Sequence, residues 1–237
     1  MIVRPIPAGG FQLITQPDHA HLARRIMERC VPLAARPRRE AILLAIAEHD
    51  GGWVEVDAAP TVDPETGGVV DFIKAPLAIR QGVWQRAVAR LHDEPWAAAL
   101  VAHHAWYVYE RFRTGADPQW ASFFAAMAAA RDERLDALGV PLDELLADYA
   151  FLRLGDLISL AFCNLATEPL RHEDWTVRLA GTRVVVTPDA FGGAVVPFEI
   201  QAREVHGAPF RSDAELRAAL DYAAPTTLRG EVAGAAG

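Results

Sequence analysis

The sequence predicts a mainly α-helical protein with a small antiparallel β-sheet. Between about residues 17 and 166, apolar side chains recur with the 3.6-residue period of amphipathic helices. β-Branched segments separated by glycines lie near the two ends of the chain and are typical of short strands. Hydrophobic residues make up 51% of the 237 residues, which is enough for one domain with a sizeable core.

The N-terminal segment 2–15, IVRPIPAGGFQLIT, predicts two strands around the turn Ala8-Gly9-Gly10. Thr15 and Asp18 then form a helix-start signal, with a proline between them. The first helix is expected over about 17–30. A second is expected over about 38–50, where two glycines end it.

Residues 53–76 hold several Pro, Gly and Asp residues and predict a long ordered loop, which in compact domains is usually functional or else disordered. Helices are expected beyond it, and Pro95 and Pro141 occupy positions suited to a first helical turn. These helices cover about 77–92, 95–113, 117–138 and 141–166.

The pattern changes in the C-terminal part of the chain. TVRLAG, TRVVVTP and AVVPFEIQAREV predict antiparallel strands within 175–206, and a last helix is expected over 212–223. Residues 229–237 are expected to be a disordered tail. We therefore expect one domain over 1–228, in which a small sheet joins the strands of 2–15 to the C-terminal strands.

Composition narrows the classes of partner. A net charge of −8 argues against a nucleic-acid or anionic-membrane surface. The sequence shows neither a signal-peptide pattern nor an apolar run long enough to span a bilayer, so we expect a cytoplasmic protein that acts on a small molecule. Cys30 and Cys163 fall on apolar helix faces and are expected to be buried thiols, with a disulfide left open. A homodimer is also left open.

The helical period separates inward-facing from outward-facing polar residues. His19 falls in the apolar stripe of the first helix, whereas His21 falls on its polar side. His49 aligns with the apolar stripe of the second helix, and His104 aligns with that of the helix at 95–113. His103 points about a third of a turn away from His104.

Asp156 lies in the middle of the apolar stripe of the helix at 141–166. An unpaired buried carboxylate costs several kcal/mol or changes its pKa, so Asp156 needs a partner. A metal cation, a histidine or an arginine would serve, and Arg153 is a candidate one turn earlier.

The inward-facing residues converge from separate helices. Taken singly, a lone inward histidine is more often a hydrogen-bonded core residue, and a lone aspartate is more often salt-bridged. Together, His19, His49 with Asp50, His104 and Asp156 suit a divalent cation bound within a helical bundle.

The order His19, His49-Asp50, Asp156 resembles the HD-domain superfamily of metal-dependent phosphohydrolases. A closer resemblance is to an uncharacterised bacterial family, domain of unknown function 3891. The matching stretches are LITQPDHAHLA, AIAEHDGGW, the helix of His104 and GDLISLAFCN. The C-terminal strands also resemble that family, so the likeness covers nearly the whole chain.

This resemblance implies an HD-domain-like helical bundle in which His19, His49, Asp50 and Asp156 bind one divalent metal ion. The ion would be Mn, Fe, Co, Ni, Zn or Mg. In binuclear members a second ion uses extra histidines, which here would be His104 with His92 or His103. Their spacing departs from the binuclear pattern.

The function expected from this resemblance is hydrolysis of a small phosphorylated or nucleotide substrate, as a phosphomonoesterase or phosphodiesterase, by a metal-activated water. Asp50 would orient the water, and His104 would hold the phosphate or protonate the leaving group. Lys74, Arg80 and Arg153 are the candidate phosphate clamp. In addition, three loop residues could wall the pocket or simply be solvated: Trp53, Glu55 and Asp57.

Two other readings remain open from the sequence. An HD-fold diiron oxygenase acting on a small molecule would be expected to use six ligands. A non-catalytic nucleotide-sensing or scaffolding domain would hold a structural metal or none. The sequence contains no GxxxxGK[ST] loop, no G-x-S-x-G elbow and no paired CxxC.

Overall fold

The computed structural model describes residues 1–6, 9–110 and 118–235, apart from the side chain at 119. The described chain has 52% helix and 20% strand, and its strands form a curled mixed sheet. The predicted mainly α bundle with a small antiparallel sheet is therefore wrong. The protein is an α+β structure in which a helical body packs against a half-barrel of strands.

The chain starts with an antiparallel hairpin of β1 (Ile2–Pro5) and β2 (Phe11–Ile14). Ala8, which was predicted for its turn, lies outside the described residues. Helix α1 (Gln16–Met27) begins where the Thr15 hydroxyl accepts a hydrogen bond from the backbone N–H of Asp18. The predicted helix start is thereby confirmed.

The helical body follows the predicted order with shorter boundaries. Its elements are α2 (Val31–Ala34), α3 (Arg39–Glu48), α4 (Val54–Asp57), α5 (Leu77–Arg90), α6 (Pro95–Val108), α7 (Pro118–Leu138) and α8 (Leu142–Cys163). The predicted loop at 53–76 contains α4 and a 3₁₀ turn at Phe72–Lys74, and another 3₁₀ turn, Gly51–Trp53, follows α3. Helices α1, α3, α6 and α8 pack together at the centre of the body.

The second half of the sheet comes from the C-terminal region. Its strands are β3 (Leu170–His172), β4 (Trp175–Ala180), β5 (Arg183–Thr187), β6 (Val195–Val205) and β7 (Ala224–Gly234), and α9 (Asp213–Asp221) precedes β7. Among the described residues the strand order is β1-β2-β6-β7-β5-β4-β3. All neighbours are antiparallel except β5 and β7.

Strand β7 overturns the expected tail at 229–237. It lies between β6 and β5 and pairs with both, so it joins the hairpin side of the sheet to the β3–β5 side. This central position is closely packed. Val232 is fully buried, and glycine fits at position 230 because a Cβ there would lie 2.7 Å from the Thr182 carbonyl oxygen. Residues 236 and 237 are outside the described part of the chain.

Two glycines allow close packing beside the centre of the helical body. A Cβ at Gly155 would lie 2.8 Å from Cγ of Met27, so glycine lets α8 approach α1. A Cβ at Gly52 would lie 1.8 Å from the backbone oxygen of Val83, so glycine lets the segment after α3 run against α5. Both contacts help to set the positions of helices that carry inward-facing polar residues.

The structure also bears on the predictions for the two cysteines and for membrane-spanning helices. Cys30 and Cys163 are buried free thiols, as their apolar positions indicated. A search of the described helices finds none with both the length and the apolar character needed to cross a bilayer.

A chain ending at Ala223 should lose its cooperative thermal unfolding transition, because removal of β7 leaves β5 and β6 without the strand that joins them. Circular dichroism with size-exclusion chromatography measures this. A chain ending at residue 235 retains all of β7 and is the matched control. A normal transition in the Ala223 truncation would contradict the role given to β7.

Candidate metal centre

The inward-facing residues meet where four helices converge. His19 comes from α1, His49 and Asp50 follow the last turn of α3, His104 comes from α6, and Asp156 comes from α8. All five side chains are buried. The helical-period argument therefore placed them on the correct faces.

His19 connects α1 to the other helices of the cluster. Its Nε2 lies 2.7 Å from Asp50 Oδ2, and its Nδ1 lies 2.8 Å from the Ser159 hydroxyl. The Ser159 hydroxyl itself donates to the backbone oxygen of Asp156 at 3.0 Å. Ser159 therefore accepts from Nδ1–H of His19, and this leaves Nε2 as the atom that faces the carboxylate.

His49 is held in the same way. Its Nδ1–H donates to the carbonyl oxygen of Ile46 at 2.8 Å. Its Nε2 lies 3.6 Å from both Asp50 Oδ2 and Asp156 Oδ1, and it has no hydrogen-bond partner among the described residues.

The charges around His49 explain its protonation behaviour. Burial lowers the pKa of His49, but the charges of Asp50 and Asp156 outweigh burial and raise it to about 9. The two carboxylates thus require positive charge at the Nε2 position. A proton can supply that charge, and a divalent cation can supply more of it.

Asp156 lies between two histidines and an arginine. Its Oδ1 faces His49, while Oδ2 accepts from Arg153 and lies 3.7 Å from Nε2 of His104. Burial alone would raise the pKa of Asp156, but the nearby His49 imidazole and the charge of Arg153 hold it well below its usual range. Asp156 is therefore an ionised, buried carboxylate.

His104 adds a third imidazole to the cluster. Its ring centroid lies 5.1 Å from that of His49, and its Nδ1 lies 3.1 Å from the Tyr149 hydroxyl. Burial lowers the pKa of His104 well below the ordinary histidine value. A neutral imidazole is the form in which histidine coordinates metals.

The three imidazoles share one arrangement. Each Nδ1 contacts an outer partner, and each Nε2 faces the carboxylates. Metal-binding histidines are commonly oriented in this way by hydrogen bonds on the ring nitrogen that does not bind the ion. Ligand atoms from His19, His49 and Asp156 lie within 4.8 Å of one another, close enough to share an ion after small side-chain adjustments.

The donor set therefore fits a divalent cation of the borderline type. The same contacts also describe an ion-pair network, because Arg153 pairs with Asp156 and His19 contacts Asp50. In both cases Nε2 of His49 lies 3.6 Å from an oxygen of each carboxylate without a hydrogen bond to either, which leaves room for an ion shared between them.

A cavity of about 380 Å³ lies against this cluster. Asp50, His104, Arg153 and Asp156 lie at its polar end. Trp84 lies beside this end, with its ring centroid 5.4 Å from that of His104. The other walls are formed largely by apolar and aromatic side chains: Trp53, Phe72, Ile73, Val108, Tyr109, Leu157, Leu160, Ala166 and Leu170. A small molecule could therefore reach the edge of the cluster.

The candidate phosphate-binding residues do not stay together. Arg80 and Arg153 both line the cavity. The Lys74 side chain is 58% exposed and bonds to Asp63 at 3.0 Å, outside the lining of this cavity. The prediction that Lys74 belongs to the phosphate clamp therefore does not fit this cavity. The direction of a lysine side chain in a loop cannot be read from helical periodicity.

The loop residues after the His-Asp pair also separate. Trp53 lines the cavity. Glu55 pairs with Arg90 at the surface, and Asp57 accepts from the backbone N–H of Gln16 at 2.6 Å. Of the three, only Trp53 is placed where it can contact a molecule bound in the cavity at the cluster.

The expected extra histidines differ in position. His92 is exposed and pairs with Asp93. His103 is buried, but its Nδ1 accepts from Arg131 at 3.2 Å, and burial with the charge of Arg131 lowers its pKa to about 4. Only His104 contacts the cluster.

Two residues at this site were not identified from the sequence. Tyr149 lies two turns before Asp156 on the same stripe of α8, so its inward direction was visible but its contact with His104 was not. Trp84 carried no signal. It is buried in the cavity wall, and its indole N–H has no partner in the part of the chain that the structure describes.

Comparisons with known proteins give one match. A family model described as "Protein of unknown function (DUF3891)" matches residues 1–217, which include every residue of the cluster. No curated protein and no solved structure matches the chain.

Replacing His19 with alanine should remove bound divalent metal and lower the free energy of unfolding by ~1–3 kcal/mol, because buried partners on Asp50 and Ser159 are left unsatisfied. His21→Ala is the control on the same helix and should stay within ~0.5 kcal/mol of the wild type, since His21 is exposed. Elemental analysis and chemical denaturation measure both quantities. Equal metal loss in the two variants would rule out the assigned face.

The outer partners of the histidines can be tested separately. Ser159→Ala should weaken metal affinity by ~10-fold or more, because it removes the hydroxyl that orients the His19 imidazole. Tyr149→Phe should leave metal affinity near the wild-type value, because Tyr149 contacts His104, which is outside the proposed ligand set. Competition with a metal-binding dye measures the affinity. Tyr107→Phe, which removes a hydroxyl that contacts His172 instead, is the matched control and should retain wild-type affinity. Unchanged affinity in Ser159→Ala would argue against this orienting role.

Proposed function

The chain belongs to the DUF3891 family, and we propose that it is a divalent-metal-dependent phosphohydrolase with a small phosphorylated substrate. The observation that carries this proposal is the convergence of His19, His49 and Asp156 around Nε2 of His49, which lies 3.6 Å from oxygens of Asp50 and Asp156 without a hydrogen bond to either, beside a cavity that two arginines line. The order of the cluster residues along the chain, which resembles the HD-domain superfamily, supports the same reaction class.

The proposed ligands are His19, His49, Asp50 and Asp156. A divalent ion held there would lower the pKa of water and neutralise negative charge on phosphate oxygens. The chain's own contribution is to hold the imidazoles in fixed orientations through Ser159 and the Ile46 carbonyl. Fixed ligands need little rearrangement during the reaction.

Three other charged residues that line the cavity are proposed to bind the substrate and to orient the water. The guanidinium groups of Arg153 and Arg80 are placed to bind phosphate oxygens, as arginine does in a bidentate manner. Asp50 lines the cavity as well as the cluster and is placed to orient the attacking water. In the reaction the water oxygen bonds to phosphorus, the ester P–O bond breaks, and the alcohol leaves with a proton.

His104 is the residue proposed to act on the leaving-group side. It lines the cavity, and its Nε2 lies 3.7 Å from Asp156 Oδ2. This position allows the neutral ring to hold the phosphate, or to transfer a proton to the leaving oxygen once a bound phosphate dianion raises its pKa. We therefore assign His104 to the substrate rather than to the first coordination set.

The competing functions make different demands. A binuclear oxygenase would need further ligands, but within the described chain His92 is exposed and His103 bonds to Arg131. A scaffolding domain has no need for a cavity at the cluster, whereas a nucleotide-sensing domain would use one and differs from a hydrolase only in the absence of turnover. The cytoplasmic location expected from the sequence accords with two free cysteines and belongs to the same proposal.

The direct test is metal analysis of purified protein followed by hydrolysis assays on phosphomonoesters and phosphodiesters with Mn²⁺, Co²⁺, Ni²⁺, Fe²⁺, Zn²⁺ or Mg²⁺ added. Metal-dependent release of phosphate or of an alcohol would support the proposal. Two equivalents of iron with O₂ consumption would replace it with the oxygenase function. Loaded protein without either activity would favour a binding domain.

Replacing His104 with asparagine should keep metal binding but lower kcat for the best substrate by ~10²-fold or more, as expected for loss of a general acid. His103→Asn is the neighbouring control and should keep kcat, because His103 does not line the cavity. Steady-state kinetics with metal analysis separates the two effects. If His104→Asn loses about half of the metal, His104 is a ligand and the site is binuclear.

A further inference from the structure

We propose that the cavity selects a phosphomonoester of a small apolar or aromatic alcohol, rather than a nucleotide. The phosphate group of the inferred substrate rests on the proposed hydrolase function. The observation behind it is the unequal chemistry of the two ends of one cavity. The polar end supplies hydrogen-bond donors and charge, while the remaining walls are mainly apolar.

The polar end calls for a ligand rich in acceptors. The indole N–H of Trp84 and Nε of Arg153 are both buried without a hydrogen-bond partner in the described structure. Indole and guanidinium groups can donate hydrogen bonds but cannot accept them. A phosphate group, whose oxygens accept several hydrogen bonds, matches these donors and Arg80 beside them.

Once a divalent cation is bound, the charge at the polar end of the cavity favours an anionic ligand. Arg80 and Arg153 balance the charges of Asp50 and Asp156 among the lining residues. A divalent cation in the cluster would leave this end with surplus positive charge, even though the whole chain carries −8. A phosphomonoester dianion would neutralise that surplus in a site partly shielded from water.

The other walls indicate what the phosphate is attached to. Trp53 and Phe72 form an edge-to-face pair with ring centroids 6.5 Å apart, and Leu157 and Leu160 line the cavity from α8. The ribose and base of a nucleotide would bring several hydroxyl and amine groups against these walls, where Tyr109 and Asn164 are lining residues with polar side-chain groups. Two such residues can pair with only part of a nucleoside, and polar groups buried without partners are costly, so these walls disfavour nucleotides.

The size of the cavity agrees with a small alcohol. Its volume of about 380 Å³ lies near the lower end of the usual range for ligand pockets, which is roughly 300–1,000 Å³. One aromatic ring or a short branched chain with a phosphate group is in keeping with that size. The exposed side chain of Ile73 contributes to the lining as well.

The test is isothermal titration calorimetry of metal-loaded protein with non-hydrolysable phosphonates. The probes are benzylphosphonate, methylphosphonate and the methylenephosphonate analogue of adenosine monophosphate. Benzylphosphonate should bind at least ~10-fold more tightly than methylphosphonate, because its ring is buried against apolar walls. It should also bind more tightly than the adenosine analogue.

Variants of the apolar wall sharpen this test. Trp53→Ala should remove most of the preference for benzylphosphonate over methylphosphonate. A partly unfolded sample would weaken both ligands equally and would leave that ratio unchanged. Ile73→Ser should reduce the ratio ~2- to 5-fold through lost apolar contact. Val31→Ser is its matched control, because Val31 is 57% exposed, Ile73 is 58% exposed, and Val31 lies outside the cavity lining.

The outcomes separate this inference from the proposed function. If loaded protein hydrolyses phosphate esters but binds methylphosphonate or the adenosine analogue as tightly as benzylphosphonate, the substrate inference is overturned and the hydrolase remains. If the preference for benzylphosphonate is found and depends on Trp53, but no ester is hydrolysed, the cavity binds an anion with an apolar group attached and the proposed hydrolase function is wrong. An unchanged ratio in both Trp53→Ala and Ile73→Ser overturns the assigned wall.

Discussion

The structure depends on one electrostatic constraint, which is the burial of two carboxylates next to each other among packed helices. Asp50 and Asp156 both lie near Nε2 of His49, in a region from which most water is excluded. Two such charges repel each other and lose their hydration, so they need cations and hydrogen bonds. Arg153 and the imidazoles of His19 and His49 meet part of this need.

The fold can be understood as the means of holding those groups together. Gly155 lets α8 pack closely on α1, which brings Ser159 within hydrogen-bond distance of His19. Gly52 lets the segment after Asp50 run against α5, the helix that carries Trp84 and Arg80. The sheet packs against α8 through β3, β4 and β5, and Leu170 of β3 also lines the cavity. The sheet thus supports the cluster without contributing a ligand to it.

The success and failure of sequence-based prediction follow the range of the interactions involved. Helical periodicity is a local property, and it correctly gave the inward faces of His19, His49, His104 and Asp156. Strand β7 could not be found in this way, because its glycines and alanines have weak strand propensity, and long-range pairing with β5 and β6 determines its structure. The direction of a loop side chain such as Lys74 is likewise set by a partner elsewhere, here Asp63.

The position of the cluster argues for a role beyond stability. A structural ion-pair network has no need for a ligand-sized cavity at its edge, or for a buried donor without a hydrogen bond. Here Asp50, His104 and Asp156 border a cavity whose wall contains the unpartnered N–H of Trp84. The buried donor is unfavourable for the protein alone, since it has no hydrogen-bond partner among the described residues. A ligand that enters the cavity and accepts from that donor would remove this cost, so the arrangement is better explained by binding than by stability.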